Sequence, residues 1–370
     1  MFAFTEKKSS LIQKTLKKTN IDLPLLLGIV LLLALGIAIL YSAIQETPKL
    51  LGRQITGIIL AFIVMLICAK IPPRKYIALA PWLFGITTIL LLTVLGIGII
   101  SKGAQRWLNL GLLRFQPSEI MKIAMPLMLA WYLHNKILPP KAKDLLIAGI
   151  IILVPTAIIT KQPDLGTAII VAASGVFVLL LAGINWKAVG WFLATFLLAS
   201  PIAWHFMHNY QKDRLLIFLN PENDPSGSGY NIIQSKIAIG SGGLLGKGWL
   251  HGTQIHLQFL PVHATDFIFA VCGEEFGYIG CVLLIAIFVY ILGCGLYISS
   301  KATDTFSRLV AGSLSLTFFA SFFVNISMVT GLLPVVGLPL PLISFGSTAL
   351  VTTMAAFGII MSIRANQTLF

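Results

Sequence analysis

Charge is scarce in this sequence. Only 11% of its 370 residues are charged, and Asp and Glu together number 13. A soluble domain carries about 25% charged residues, so this composition does not cover a water-facing surface. Cysteine is scarce too. Cys68, Cys272, Cys281 and Cys294 all fall in apolar runs and form no C-x-x-C pair, which excludes a disulfide framework and predicts thiols packed like small hydrophobes. The six histidines include His205 and His208, three apart, and His251 and His256, five apart. Neither pair has thiols or carboxylates at zinc spacing, so no metal site is expected from them. The glycine-rich stretch 239–248 lacks the spacing and strand context of a phosphate loop, which argues against a nucleotide site. The net charge is +13, yet no basic stripe interleaved with aromatics exists, and nucleic acid is set aside. No internal repeat marks an inverted-repeat transporter.

What is abundant is apolar sequence, at 57%. A hydrocarbon core about 30 Å thick takes roughly 20 apolar residues per helix. The runs predict an all-α, polytopic membrane protein with about ten spans, at 22–43, 54–71, 77–100, 118–134, 144–160, 164–184, 187–206, 266–298, 306–332 and 340–363. The first is read as uncleaved, because it is too long for a signal-peptide core. Ten spans leave no room for a soluble catalytic domain. The chain is therefore one transmembrane domain, 1–370, with a cytoplasmic tail at 1–20. Ionisable residues at mid-bilayer depth are few outside the spans discussed below, which argues against an ion relay.

Lysine and arginine set the orientation. Lys7, Lys8, Lys14, Lys17 and Lys18 precede the first span, and Lys70, Arg74, Lys75, Lys136, Lys141, Lys143, Lys187, Lys301, Arg308 and Arg364 fall on the same side. Both termini are thus expected in the cytoplasm. Most carboxylates lie on the other side, in loops rich in Gly, Pro, Gln and Ser. The one long connection, 207–265, is extracytoplasmic in this arrangement. Long loops in compact proteins are usually functional or disordered; here 211–219 and 229–239 read as short amphipathic segments and 220–227 as a turn cluster.

Several residues on that side suit chemistry. Asp266 opens the eighth span, where a carboxylate either caps the helix or serves as a general base at the membrane boundary. Glu274 and Glu275 lie two turns deeper; at about 100° per residue Glu274 falls roughly 80° from Asp266 and Glu275 on the opposite face. Glu119 and Lys122 share a helix face, either as an internal ion pair or as a charged cavity wall. Ser118 is a plausible N-cap for their helix. Arg106, Arg114, Lys161, Arg214, Lys236 and Lys247 run against the usual charge bias and suit a pyrophosphate. Trp107 fits an interfacial belt. The Pro- and Gly-rich stretch 331–346 breaks helical regularity at membrane depth, which requires burial in protein or a water-filled cavity.

These segments carry a resemblance. Gly103-Ala104-Gln105-Arg106-Trp107, Gln116-Pro117-Ser118-Glu119, Gln162-Pro163-Asp164-Leu165-Gly166-Thr167, the stretch 220–252, His263-Ala264-Thr265-Asp266-Phe267-Ile268-Phe269 with Gly273-Glu274-Glu275, and Gly337-Leu338-Pro339-Leu340-Pro341 with Ser344-Phe345-Gly346 occur in order. Together they resemble the SEDS family (shape, elongation, division and sporulation) of peptidoglycan polymerases, and its elongation branch more than its division branch. The resemblance implies a glycosyltransferase that joins lipid II into glycan strands on the outer face of the bacterial cytoplasmic membrane and releases undecaprenyl pyrophosphate. It implies Asp266, Glu119 and Lys122 as catalytic residues, and a substrate surface that includes Arg106, Trp107, Ser118, Lys161, Asp164, Arg214, Lys236, Lys247, His263, Thr265, Glu274 and Ser344. Its implied partners are lipid II and the growing strand, a class B penicillin-binding protein (a transpeptidase), MreB-associated elongation proteins and membrane lipids. No organic cofactor is expected; cations, or magnesium or manganese, serve a pyrophosphate leaving group in place of an acid. A lipid II flippase and a non-catalytic scaffold of the elongation machinery are the alternative readings.

Overall fold

The computed structural model describes residues 20–44, 48–101, 104–109, 114–185, 190, 198, 209–224, 227–253 and 264–367. Among these, nine long helices cover the predicted spans other than the seventh, of which only residues 190 and 198 are described. They are α1 (Leu23–Ala43), α2 (Pro48–Lys70), α3 (Pro73–Ile97), α4 (Pro117–Leu133), α5 (Ala142–Lys161), α6 (Leu165–Leu181), α9 (Ile268–Ser300), α10 (Thr305–Val329) and α11 (Ser347–Asn366). Between α6 and α9 lie α7 (Asn209–Leu219), a 3-10 turn at Pro221–Asn223, and α8 (Ser228–Ser241). Among the described residues, seven helices are long and apolar enough to cross a membrane, and α6 is a shorter apolar helix. Their outward faces carry bare Leu, Ile and Trp, such as Trp82 and Ile89, as lipid contact requires. The protein is an all-α, multi-pass membrane protein.

Aspartates start three of the helices. Asp22, Asp164 and Asp304 accept hydrogen bonds from the backbone nitrogens of Leu25, Thr167 and Ser307 at 3.0, 3.4 and 2.9 Å, satisfying donors that a first turn leaves open. One end of the bundle gathers the start of α1 with the ends of α2, α9 and α11. Arg364 Nε lies 3.5 Å from Asp22 Oδ2, Gln367 donates to the Ile298 carbonyl, and Ser362 donates to that of Ile71. In the interior α11 packs on α2, α10 on α6, and α9 on both α1 and α10.

Two features depart from the sequence-based expectation. The third predicted span ends early, at Ile97, and a small antiparallel sheet follows: β1 (Ile99–Ser101), β2 (Ala104–Asn109) and β3 (Arg114–Phe115), in that order. The last helix starts at Ser347, because the Pro-rich segment before it cannot donate the needed backbone bonds.

Helix α9 is broken at Gly277, where φ is 64° and ψ −161°, a region open essentially to glycine alone. The glycine-rich segment after α8 repairs the break. The Lys247 and Gly248 nitrogens donate to the Glu274 and Glu275 carbonyls at 3.0 and 3.1 Å, while the Tyr278 and Ile279 nitrogens donate to the Gly243 and Leu244 carbonyls at 2.9 and 3.2 Å. A Cβ at Gly246 would stand 2.1 Å from the Glu275 carbonyl oxygen. These glycines therefore serve a backbone-to-backbone contact that satisfies helix groups freed at membrane depth.

Candidate functional site

The end of the bundle opposite Asp22 and Arg364 gathers Asp266, Ser344, Glu119 and Lys122 around the irregular segment between α10 and α11. Asp266 sits in the turn before α9, half-buried, two residues ahead of the first helical position. It is not the cap of that helix; Phe267 is, with no side-chain bond. Three consecutive carbonyls hold the turn. Phe345 N donates to Ala264 O at 3.0 Å, Ser344 Oγ to Thr265 O at 2.5 Å, and Asn325 Nδ2 to Asp266 O at 2.9 Å. Ser344 Oγ also accepts from Leu340 N at 2.8 Å. Ser344 thus organises the turn from a buried position. A Cβ built at Gly337 would lie 3.8 Å from Asp266 Oδ2, which places the carboxylate against the same segment.

Helix α4 begins at Pro117, whose fixed φ and missing N–H suit a first helical position. The cap is therefore Gln116, and the expected cap Ser118 stands inside the first turn. Glu119 follows in that turn, where the helix dipole favours an anion. Its Oε1 lies 2.7 Å from Lys122 Nζ, and Thr352 Oγ1 of α11 donates to its Oε2 at 3.4 Å. Both charged groups line a cavity together with Thr317 and Ser321 of α10, Thr352 and Thr353 of α11, and Leu338, Pro339 and Pro341. The cavity wall and the Asp266 neighbourhood are therefore made by one segment. Both readings of the Glu119–Lys122 pair meet here, since the ion pair is also the wall.

The sheet carries Arg106 and Trp107 on successive, opposite-facing positions of β2, with Trp107 paired to Ile99. Arg106 Nη1 is 3.7 Å from Asp164 Oδ1, and its Nη2 donates to the Pro163 carbonyl at 2.8 Å. Gln116 Nε2 donates to Asp164 Oδ2 and to Ser118 Oγ, each at 3.0 Å. This buried network joins β2, α4 and α6. Glu274, fully buried, accepts from Lys247 at 2.7 Å and from Thr253 at 3.0 Å. Glu275 points elsewhere and accepts from Ser42 of α1.

The cations expected to form one pyrophosphate surface are divided. Arg106, Lys122 and Lys247 each face a carboxylate. Lys161 and Lys236 are exposed, Lys236 passing over Gly331, and Arg214 is half-buried on α7. His263 and the side chain of Arg114 lie outside the described residues. Sequence reasoning missed Gln116, Thr253, Asn325 and Thr352. Asn325 carried a usable signal, an amide inside an apolar span; Thr352 carried none, because helical threonines commonly bond to their own backbone. Among the described residues, no three His, Cys, Asp or Glu side chains converge as metal ligands.

A family model described as the FtsW, RodA and SpoVE cell cycle protein matches residues 14–369. The chain is 50% identical over 353 residues to the peptidoglycan glycosyltransferase MrdB of Escherichia coli K12, covering 95% of both chains. It is 41% identical over 322 residues to MrdB of Helicobacter pylori, covering 84% of this chain and 82% of that relative. A solved chain from work on structural coordination of polymerization and crosslinking by a peptidoglycan synthase complex superposes with a TM-score of 0.82, at 29% identity, over 94% of this chain and 98% of that one. The rod shape determining protein RodA of Thermus thermophilus superposes with a TM-score of 0.72, at 26% identity, over 94% and 97%. The matched model spans nearly the whole sequence, and the chain belongs to the FtsW, RodA and SpoVE family of cell cycle proteins, the SEDS family that its motifs resemble.

Proposed function

We propose that this protein is a peptidoglycan glycosyltransferase of cell elongation, polymerising lipid II at the bundle end that holds Asp266. The observation that carries the reading is the shared wall. The segment 337–345 supports the Asp266 turn on one side and lines the Glu119–Lys122 cavity on the other. In this reading a sugar hydroxyl of one chain attacks the anomeric carbon of another. Asp266 takes the hydroxyl proton as general base. The new C–O bond forms with inversion as the bond to pyrophosphate breaks, and undecaprenyl pyrophosphate leaves with the electron pair. Lys122, fixed by Glu119, offers positive charge to the developing phosphate anion. Lys161, Lys236 and Arg214 supply an outer cationic rim, Trp107 a sugar contact. A magnesium or manganese ion would need one or two protein carboxylates, of which Asp266 and Glu119 stand at this end, and would supply positive charge to the pyrophosphate.

The end bearing Asp22, Lys70, Arg74, Lys136, Lys301 and Arg364 faces the cytoplasm in this proposal, following the basic bias of those loops. A class B penicillin-binding protein is the proposed partner, supported by the similarity to a synthase complex that couples polymerization and crosslinking.

The test is glycan polymerisation from purified lipid II by the protein with its cognate transpeptidase, comparing wild type with Asp266→Asn. Polymer from the first and a loss on the order of 10²-fold or more from a folded second is expected for a missing base. A folded Asp266→Asn protein that polymerises normally overturns the assignment.

A further inference from the structure

Asn325 lies in α10 with 0% of its surface exposed. Its side-chain nitrogen donates twice, to the carbonyl of Asp266 at 2.9 Å and to that of Leu338 at 2.6 Å. The first acceptor belongs to the turn that presents the carboxylate. The second belongs to a residue that lines the cavity holding Glu119 and Lys122. A primary amide is the neutral side chain that offers two donors from one atom. Serine has one, and an ionised aspartate has none. The Asn325 side-chain oxygen is itself buried without a hydrogen-bond partner. The oxygen therefore does not dictate how the amide is turned. Turning it over would press that oxygen against two carbonyl oxygens and strand both acceptors, so the two donated bonds set the orientation. A buried polar group at this depth is costly in an apolar span, and leucine of similar size would fill the volume without that cost.

We propose that Asn325 is a positioning residue for glycosyl transfer. Its single amide ties the backbone of Asp266 to the cavity wall at Leu338 and so holds the carboxylate in register with Glu119 and Lys122. It touches no substrate and acts through Asp266. This inference rests on the reading of Asp266 as the base. Its consequence is specific: loss of the amide misplaces the carboxylate while the cavity surface that binds substrate is kept, so turnover falls and substrate affinity does not.

The experiment compares wild type with Asn325→Leu, Asn325→Asp and Asn325→Ser, each bound to the transpeptidase. Initial rates are read across lipid II concentrations and normalised to monodisperse, partner-bound protein. A misplacement of about an ångström costs on the order of 10²-fold in rate, so kcat for the Leu and Asp variants should fall on the order of 10- to 100-fold, with KM within about twofold. Asn325→Ser, with one donor, should fall between. Unchanged kcat per folded molecule, with only yield or thermal stability reduced, overturns the proposal in favour of a packing role. A raised KM with kcat intact also overturns it. Asp266→Asn run alongside separates the two readings. If it is inactive while the Asn325 variants keep full kcat, the positioning role alone falls. If it is fully active, the base assignment falls and takes this inference with it.

Discussion

Lys247 and Glu274 meet at 2.7 Å although one sits in a glycine-rich connection and the other is fully buried in the first turns of a membrane helix. The contact joins the repair of α9 to its charge balance, because the Lys247 backbone nitrogen caps the Glu274 carbonyl while its ammonium faces the Glu274 carboxylate. Thr253 donates to the same carboxylate oxygen. Removing the cation leaves a desolvated carboxylate with reduced compensation. Lys247→Met should destabilise the protein by about 3 kcal/mol, while Lys247→Met with Glu274→Leu should recover most of that loss, as for other buried pairs replaced by apolar groups. Thermal unfolding in detergent, single against double variant, checks it. A double variant no more stable than the single would mean that the carboxylate has a second role.

The break in α9 gives a sharper contrast. At Gly277 the backbone occupies a glycine-only region, and a Cβ would stand 2.3 Å from the Gly246 nitrogen. Gly277→Ala should cost about 1–3 kcal/mol from the backbone conformation alone, with the clash added. Gly293, later in the same helix, has nothing within 4 Å of a built Cβ. Gly293→Ala should be neutral or stabilising by up to about 1 kcal/mol, the helix propensity difference. The melting temperatures of the two variants should move apart. Equal shifts would contradict a specific break.

Asp164 does several things at once. It caps α6 at Thr167, accepts from Gln116 and faces Arg106. Asp164→Ala should cost about 3 kcal/mol or more, since a cap contributes about 1 and a broken buried pair more. Asp164→Asn keeps the cap oxygen and should lose roughly half as much. The Arg106 side chain is 20% exposed, which keeps its share of the loss at the lower end. Chemical denaturation of the two variants, with spectroscopy on Trp107 in an otherwise Trp-reduced background, reads both stability and the sheet.

Much of the fold and part of the candidate site are legible in the amino-acid sequence. The spans follow from apolar run length, and the Glu119–Lys122 pair from a spacing of three on one helix. The sheet at 99–115 is not legible, because its strands are short and strand pairing is a non-local property. Ser118 is the cap that local preference selects for α4, but Pro117 occupies the first helical position and moves the cap to Gln116. Asp266 reads as the opening of a helix that in fact starts two residues later, since the turn is held from outside by Ser344, Phe345 and Asn325 rather than by local preference. Asn325 stands in the sequence as an amide in an apolar run, without any sign of the two carbonyls it serves.

The sequence by itself determined that this chain crosses a membrane many times, because its apolar runs are long enough to span hydrocarbon as helices whose backbone bonds are satisfied internally. It also determined which polar residues are candidates for chemistry and that they share one side, since the apolar runs and loop charges order them. The tertiary structure alone decided which cation meets which carboxylate. Lys122 reaches Glu119 within one helical turn, but Lys247 meets Glu274 across 27 residues of chain, and Arg106 meets Asp164 only where the sheet folds back on α6. Such contacts depend on how helices pack and where the chain breaks regularity, and burial makes their partners obligatory rather than optional.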